Sequence, residues 1–161
     1  MSPPELSPDF RDLVESLTLQ SVEFLIVGAY ALAYHGVSRY TEDFDVWIAR
    51  SEENARRLRL ALHEFGMAMS EAEALALAQN TERFFTFGAK PSAVDILNFL
   101  SGCDFETAYG RSITTELDGL PVKVLSLVDY VATKNASGRP KDKRDLEALR
   151  EAKGSLPGDP A

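Results

Sequence analysis

The segment Glu42-Asp43-Phe44-Asp45-Val46-Trp47-Ile48 constrains this chain more than any other stretch. Phe44, Val46 and Ile48 alternate with Asp43, Asp45 and Trp47, the period of a β-strand with one apolar face. Residues i and i+2 of a strand point to the same side, so Asp43 and Asp45 project together. Two neighbouring carboxylates on one face repel each other and gain little from burial. A divalent cation removes that conflict, and hard carboxylate oxygens suit magnesium. A further strand, Val94-Asp95-Ile96-Leu97, carries Asp95 among apolar neighbours, where an unpaired charge is expensive. Three converging carboxylates would complete a two-metal site, and such sites serve phosphoryl and nucleotidyl transfer. The same residues admit a plainer reading, with Asp43 and Asp45 solvated at a strand edge and Asp95 paired to a core lysine or arginine.

The surrounding pattern is an α/β mixture. Phe10, Leu13, Val14 and Leu17 have helical spacing ahead of a β-favouring run, Val22 to Val27, that ends at Gly28. Ala29 to Tyr34 and Glu52 to Phe65 read as helices, the second with Leu58, Ala61, Leu62 and Phe65 on one side. Glu71 to Ala78 extends the helical region. Arg83 to Phe87 and Ala93 to Phe99 read as strands, and Asp104 to Tyr109 as a short helix. Asp118-Gly119 predicts a hairpin between Ile113 to Leu117 and Pro121 to Leu125. Leu127 to Ser137 and Pro140 to Ala152 are two helices split at Gly138, with Val128, Val131 and Ala132 as the expected packing stripe of the first. Pro140 suits a first helical turn, where its missing N–H costs nothing. The whole reads as one domain with its core over residues 10–153 and flexible ends, Met1 to Pro8 and Gly154 to Ala161.

Charge narrows the partners. Seventeen basic against twenty-five acidic residues give a net charge of −8, which disfavours sequence-independent binding to duplex DNA. A local basic cluster could still hold one nucleotide or an RNA end, and Arg39, Lys134, Arg139, Lys141, Lys143 and Arg144 are available for it. No apolar run approaches the roughly 20 residues of a membrane span, and the first residues lack a signal-peptide pattern, so a cytoplasmic location is expected. Cys103 has no cysteine partner, and neither His35 nor His63 has a neighbour at metal-ligand spacing. These three are expected to be structural or solvent-facing. Gly28 and Ala29, at a strand-to-helix junction, either make a tight turn or let a phosphate approach backbone N–H groups at the helix's positive end.

Taken together, these residues resemble the polymerase-β-like nucleotidyltransferase superfamily, whose motif is a Gly-Gly or Gly-Ser pair followed by Asp-x-Asp on the next strand. The resemblance runs through Phe24 to Ala29, Arg39 to Val46, Val94 to Leu97, Val124 to Leu127, and Lys134-Asn135-Ala136-Ser137-Gly138-Arg139-Pro140-Lys141-Asp142. It is nearest to the small bacterial branch of minimal nucleotidyltransferases and AbiEii-type toxins. It implies a mixed, twisted sheet flanked by helices, with a C-terminal helical pair. It also implies two magnesium ions on Asp43 and Asp45, with Asp95 holding the one that activates the acceptor. Gly28 and Ala29 would cradle the triphosphate of an NTP, with Arg39, Thr41 and Lys134 as further phosphate contacts. Asp142 is implied as a functional residue near the acceptor. Ala29 departs from the motif, since no serine hydroxyl is available to a phosphate there.

The activity so implied is transfer of NMP to an RNA (tRNA) or protein hydroxyl, within a toxin–antitoxin or phage-defence pair that includes a small helical partner protein. The competing reading is a non-catalytic, antitoxin-like module of the same fold that works by binding a partner. A metal-dependent phosphohydrolase is a third.

Overall fold

A computed structural model describes residues 7–160. Helix α1 (Pro8–Leu19) starts where the Ser7 hydroxyl accepts the Phe10 N–H at 3.3 Å and Pro8 takes the first turn. Strand β1 (Phe24–Val27) runs straight into α2 (Gly28–Tyr34), and β2 (Asp43–Ile48) follows a loop. Helix α3 (Glu52–Phe65) opens on the Ser51 hydroxyl and closes at Gly66 in the left-handed conformation. A capping box of Ser70 and Glu73 starts α4 (Glu71–Ala78). Strands β3 (Phe84–Phe87) and β4 (Ala93–Leu97) come next, then α5 (Phe105–Gly110), capped by Asp104. The hairpin of β5 (Ile113–Leu117) and β6 (Leu120–Val124) turns on Asp118 and Gly119, both at positive φ, as its Asp-Gly signal requires. Helices α6 (Leu127–Ser137) and α7 (Pro140–Lys153) finish the chain.

Six strands form one mixed sheet in the order β3-β4-β2-β1-β6-β5. β2 lies antiparallel to β1 and parallel to β4, while β1 runs parallel to β6. The two faces of β2 are occupied as the alternation predicts. Phe44 stacks on Phe10 of α1 with ring centroids 4.9 Å apart, so the Phe44, Val46 and Ile48 side carries the core. Trp47 meets Phe105 of α5 edge-on at 5.1 Å, so helix also covers part of the opposite face, which carries the aspartates. Among the described residues, no helix is long and apolar enough to cross a membrane.

One expectation is corrected. Val128 is not part of the packing stripe of α6 but 49% exposed, and the buried side of that helix is Asp129, Tyr130, Val131 and Thr133. The reason is that α6 packs through polar as well as apolar groups, which hydrophobic spacing cannot detect. In the C-terminal segment Leu156 is buried, and Asp159 takes two hydrogen bonds from Arg150 and one from the Leu156 N–H. At the other end, residues 1–6 of the expected flexible start lie outside the described residues, and Pro8 belongs to α1.

Candidate active site

A cavity of about 520 Å³ opens on the aspartate-bearing face of the sheet. Strand pairing sets its floor. Asp45 of β2 lies directly opposite Asp95 of the parallel strand β4, and Asp43 shares their face two residues away. All three line the cavity. Among the described residues, no lysine or arginine is paired with Asp43, Asp45 or Asp95, so the core ion pair that the plainer reading needs is not formed there. Asp95 instead accepts the Thr86 hydroxyl at 2.6 Å. Burial, the hydrogen bond and charge of Asp95, and the charge of Asp43 push the Asp45 carboxyl up to about 7, while Lys141 pulls weakly the other way.

Such a set of hard, crowded, uncompensated oxygens fits divalent magnesium in chemistry. It is not a finished cage: among the described residues, no group of three or more His, Cys, Asp or Glu is gathered closely enough to hold a metal ion.

Gly28 sits at the edge of the floor with φ +67°, and a Cβ there would land on the Asp45 carboxylate. Glycine is therefore demanded by backbone conformation and by the acid at once. Gly28 and Ala29 begin α2, whose first turn no side chain caps, so its positive end faces the cavity. Gly28→Ala is expected to cost about 1–3 kcal/mol of stability through strain and collision. Urea denaturation of the variant against the wild type would measure it.

The opposite wall comes from the junction of α6 and α7. Asp142 is fully buried and is the hub of that wall. It accepts hydrogen bonds from Lys134 Nζ at 3.2 Å, Ser137 Oγ at 2.6 Å, and the Arg139 backbone N–H at 3.2 Å and Nε at 2.9 Å. Burial raises the Asp142 carboxyl, but the donors from Arg139, Ser137 and Lys134 together outweigh it and hold it well below the usual carboxylate range. Lys134 also lies 5.4 Å from the Tyr130 ring centroid, on the helix face expected for it. Lys134, Ser137, Arg139 and Lys141 all line the cavity, whereas Asp142 stands behind them. Arg39 enters from the loop before β2, bridged to Asp145 at 3.3 Å. Thr41 does not line this cavity; its hydroxyl bonds the backbone of Asp43 at 3.1 and 3.2 Å and shapes the start of β2.

Sequence reasoning missed Thr86, Ser137 and the apolar wall of Phe84, Phe99 and Leu100. A lone threonine among the phenylalanines of β3 was a signal, but its meaning depended on the register with β4. His35 is structural, as expected: it is buried, with Nε2 2.7 Å from the Leu125 carbonyl oxygen, and burial lowers its pKa. Cys103 is half-buried, its thiol pushed up to about 11 by burial and by Asp129.

No protein-family model matches the chain, and no curated protein gives a significant match. Solved structures do match. A candidate nucleotidyltransferase from Thermotoga maritima superposes with TM-score 0.56 at 19% identity, covering 88% of each chain. The antibiotic-resistance factor ANT(2″)-Ia superposes with TM-score 0.55 at 15% identity, covering 91% of this chain and 83% of that one. Its crystal structure with adenylyl-2″-tobramycin gives TM-score 0.53 at 16% identity, over 89% and 84%. The chain thus has the nucleotidyltransferase fold: among the described residues, a six-stranded mixed sheet is flanked by seven helices.

Proposed function

We propose that this chain is a magnesium-dependent nucleotidyltransferase that moves NMP from an NTP to a hydroxyl of an RNA or a protein, in a toxin–antitoxin or phage-defence setting. One observation carries the reading. Asp45 and Asp95 lie in register on neighbouring parallel strands with Asp43 on the same face, across one cavity from Lys134, Arg139 and Lys141. Carboxylates on one wall and cations on the other suit a substrate that bears both phosphates and metal ions. That the same fold in ANT(2″)-Ia holds adenylyl-2″-tobramycin supports a nucleotidylated hydroxyl as the product.

Asp43 and Asp45 would hold two magnesium ions, and Asp95 the one beside the acceptor. When bound, the ions neutralise phosphate charge and make the acceptor oxygen a better nucleophile. The backbone at Gly28 and Ala29 approaches the triphosphate, and the open end of α2 favours its charge. Lys134, pinned by Asp142 and the Tyr130 ring, presents its ammonium group at a fixed place. Arg39 can exchange its partly exposed bond to Asp145 for a phosphate oxygen, and Arg139 and Lys141 close the positive rim. Thr41 acts through the backbone of Asp43.

Incubation with labelled NTPs, magnesium and cellular RNA or protein is expected to label a macromolecule. No labelling with any of the four nucleotides, or full labelling by Asp43→Ala, sinks the proposal. Lys134→Met is expected to raise the KM for NTP about tenfold to a hundredfold, the loss of one charge-assisted contact in a secluded site. Initial rates against NTP concentration check it.

A further inference from the structure

The acids are not alone on the cavity floor. Pairing aligns Asp45 with Asp95 and Asp95 with Thr86; it also aligns Trp47 with Leu97 and Leu97 with Phe84. Directly opposed residues share a face, so an apolar row runs beside the acidic one, two residues and about 7 Å along the strands. Its inner end, Trp47, is buried under Phe105. Its outer end is open. Phe84 is 58% exposed on the edge strand β3, yet it borders the same cavity as the three aspartates. Phe99 extends this wall.

The shelf is held rigidly. Buried Asn98 accepts the Arg83 N–H at 2.7 Å and returns its own backbone N–H to the Arg83 carbonyl at 3.1 Å. Its side-chain amide donates to the carbonyls of Leu77 and Thr81. The residues just before Phe84 and Phe99 are therefore fixed in place without a ligand.

The geometry points to an acceptor subsite: Phe84, backed by Leu97 and Phe99, is the platform on which the terminal base of a single-stranded RNA stacks, with its ribose hydroxyl over Asp95. This rests on the nucleotidyl-transfer reading above and names its acceptor. Bases stack on aromatic side chains whatever their sequence. A nucleoside carries its ribose hydroxyls several ångströms from the centre of its base, which suits the offset between the two rows. Tyrosine carries its hydroxyl on the ring itself, so a ring seated on Phe84 would leave that oxygen short of Asp95. Charge agrees, because Arg139 and Lys141 are exposed at the rim of a chain that is acidic overall and can meet the preceding phosphates. In the transfer, a ribose oxygen bonds to the α-phosphorus and the α–β bridging P–O bond breaks. Pyrophosphate leaves, and the ribose proton passes to water.

Fluorescence anisotropy of the full chain with two short 5′-labelled RNAs, one ending in adenosine and one in an abasic ribose, tests the platform. The terminal base is expected to tighten binding to the wild type about tenfold. That gain should vanish in Phe84→Ala and persist in Phe84→Trp, with unchanged melting temperatures because the ring is exposed. The proposal is overturned if the base adds nothing, if its gain survives in Phe84→Ala, or if a tyrosine peptide and not RNA shows the Phe84 dependence. Labelling that needs Asp45 but ignores Phe84 would leave transfer standing and remove the platform alone.

Discussion

Asp45→Asn is expected to abolish nucleotidyl transfer, by roughly three orders of magnitude or more, because it removes a charge from the place where phosphate and metal charge must be balanced. The same substitution is expected to stabilise the metal-free protein. Asp45 is half-buried against Gly28, faces Asp95 in register and shares a strand face with Asp43, so burial and both neighbouring acids oppose its negative charge and outweigh the weak pull of Lys141. An amide of the same shape removes the repulsion and keeps the packing. A gain of about 1–3 kcal/mol, a few degrees in melting temperature, should follow at pH 8 without divalent ions. Added magnesium should raise the melting temperature of the wild type and leave that of Asp45→Asn nearly unchanged. A purely structural aspartate would behave oppositely, losing stability on substitution and ignoring magnesium.

The second large effect lies at Asp142. Asp142→Ala leaves Lys134 and Ser137 without their shared acceptor and removes the side chain that caps the first turn of α7. Stripping one partner from a buried ion pair costs about 3–5 kcal/mol, and urea denaturation should show a loss of that size. Transfer should fall with it, mainly through the KM for NTP, since Lys134 and Arg139 would no longer be held at the cavity wall. Asp142→Asn, which keeps the shape and much of the hydrogen bonding, should recover part of the stability but little of the NTP affinity. The pH dependence has a definite sign. The folded-state pKa of Asp142 is depressed, so its contribution is complete above the unfolded value of about 4 and fades as pH falls below it.

Much of the fold was legible because local patterns agreed with the final packing. The Phe44-Val46-Ile48 alternation, the helical spacing of Phe10 to Leu17 and the Asp-Gly turn each acted over a few residues, and each element formed where its pattern lay. Helix α6 was misread at Val128, since its buried side includes Asp129 and Thr133, and Asp129 is fully satisfied by Ser126 and Arg111. Periodicity registers apolar faces, and a buried polar face satisfied by hydrogen bonds and an ion pair leaves no such trace. Thr41 and Asp142 show the same limit at the site. The resemblance implied a role at the substrate for both, whereas their hydrogen bonds tie one to the backbone at the start of β2 and hold the other behind the cavity wall.

The sequence by itself determined that Asp43 and Asp45 share a strand face, because a strand's period of two leaves no other arrangement. It also supplied the crowded charge, with no cation among their immediate neighbours. Only the tertiary structure decided that Asp95 lies opposite Asp45, since parallel pairing of β2 with β4 joins residues 50 apart through a register that neither strand encodes alone. Antiparallel pairing of β3 with β4 put Thr86 on Asp95 and Phe84 at the cavity's open edge, and helix packing turned Asp142 inward to hold Lys134 and Arg139. Local chemistry names the groups; long-range pairing decides which of them meet.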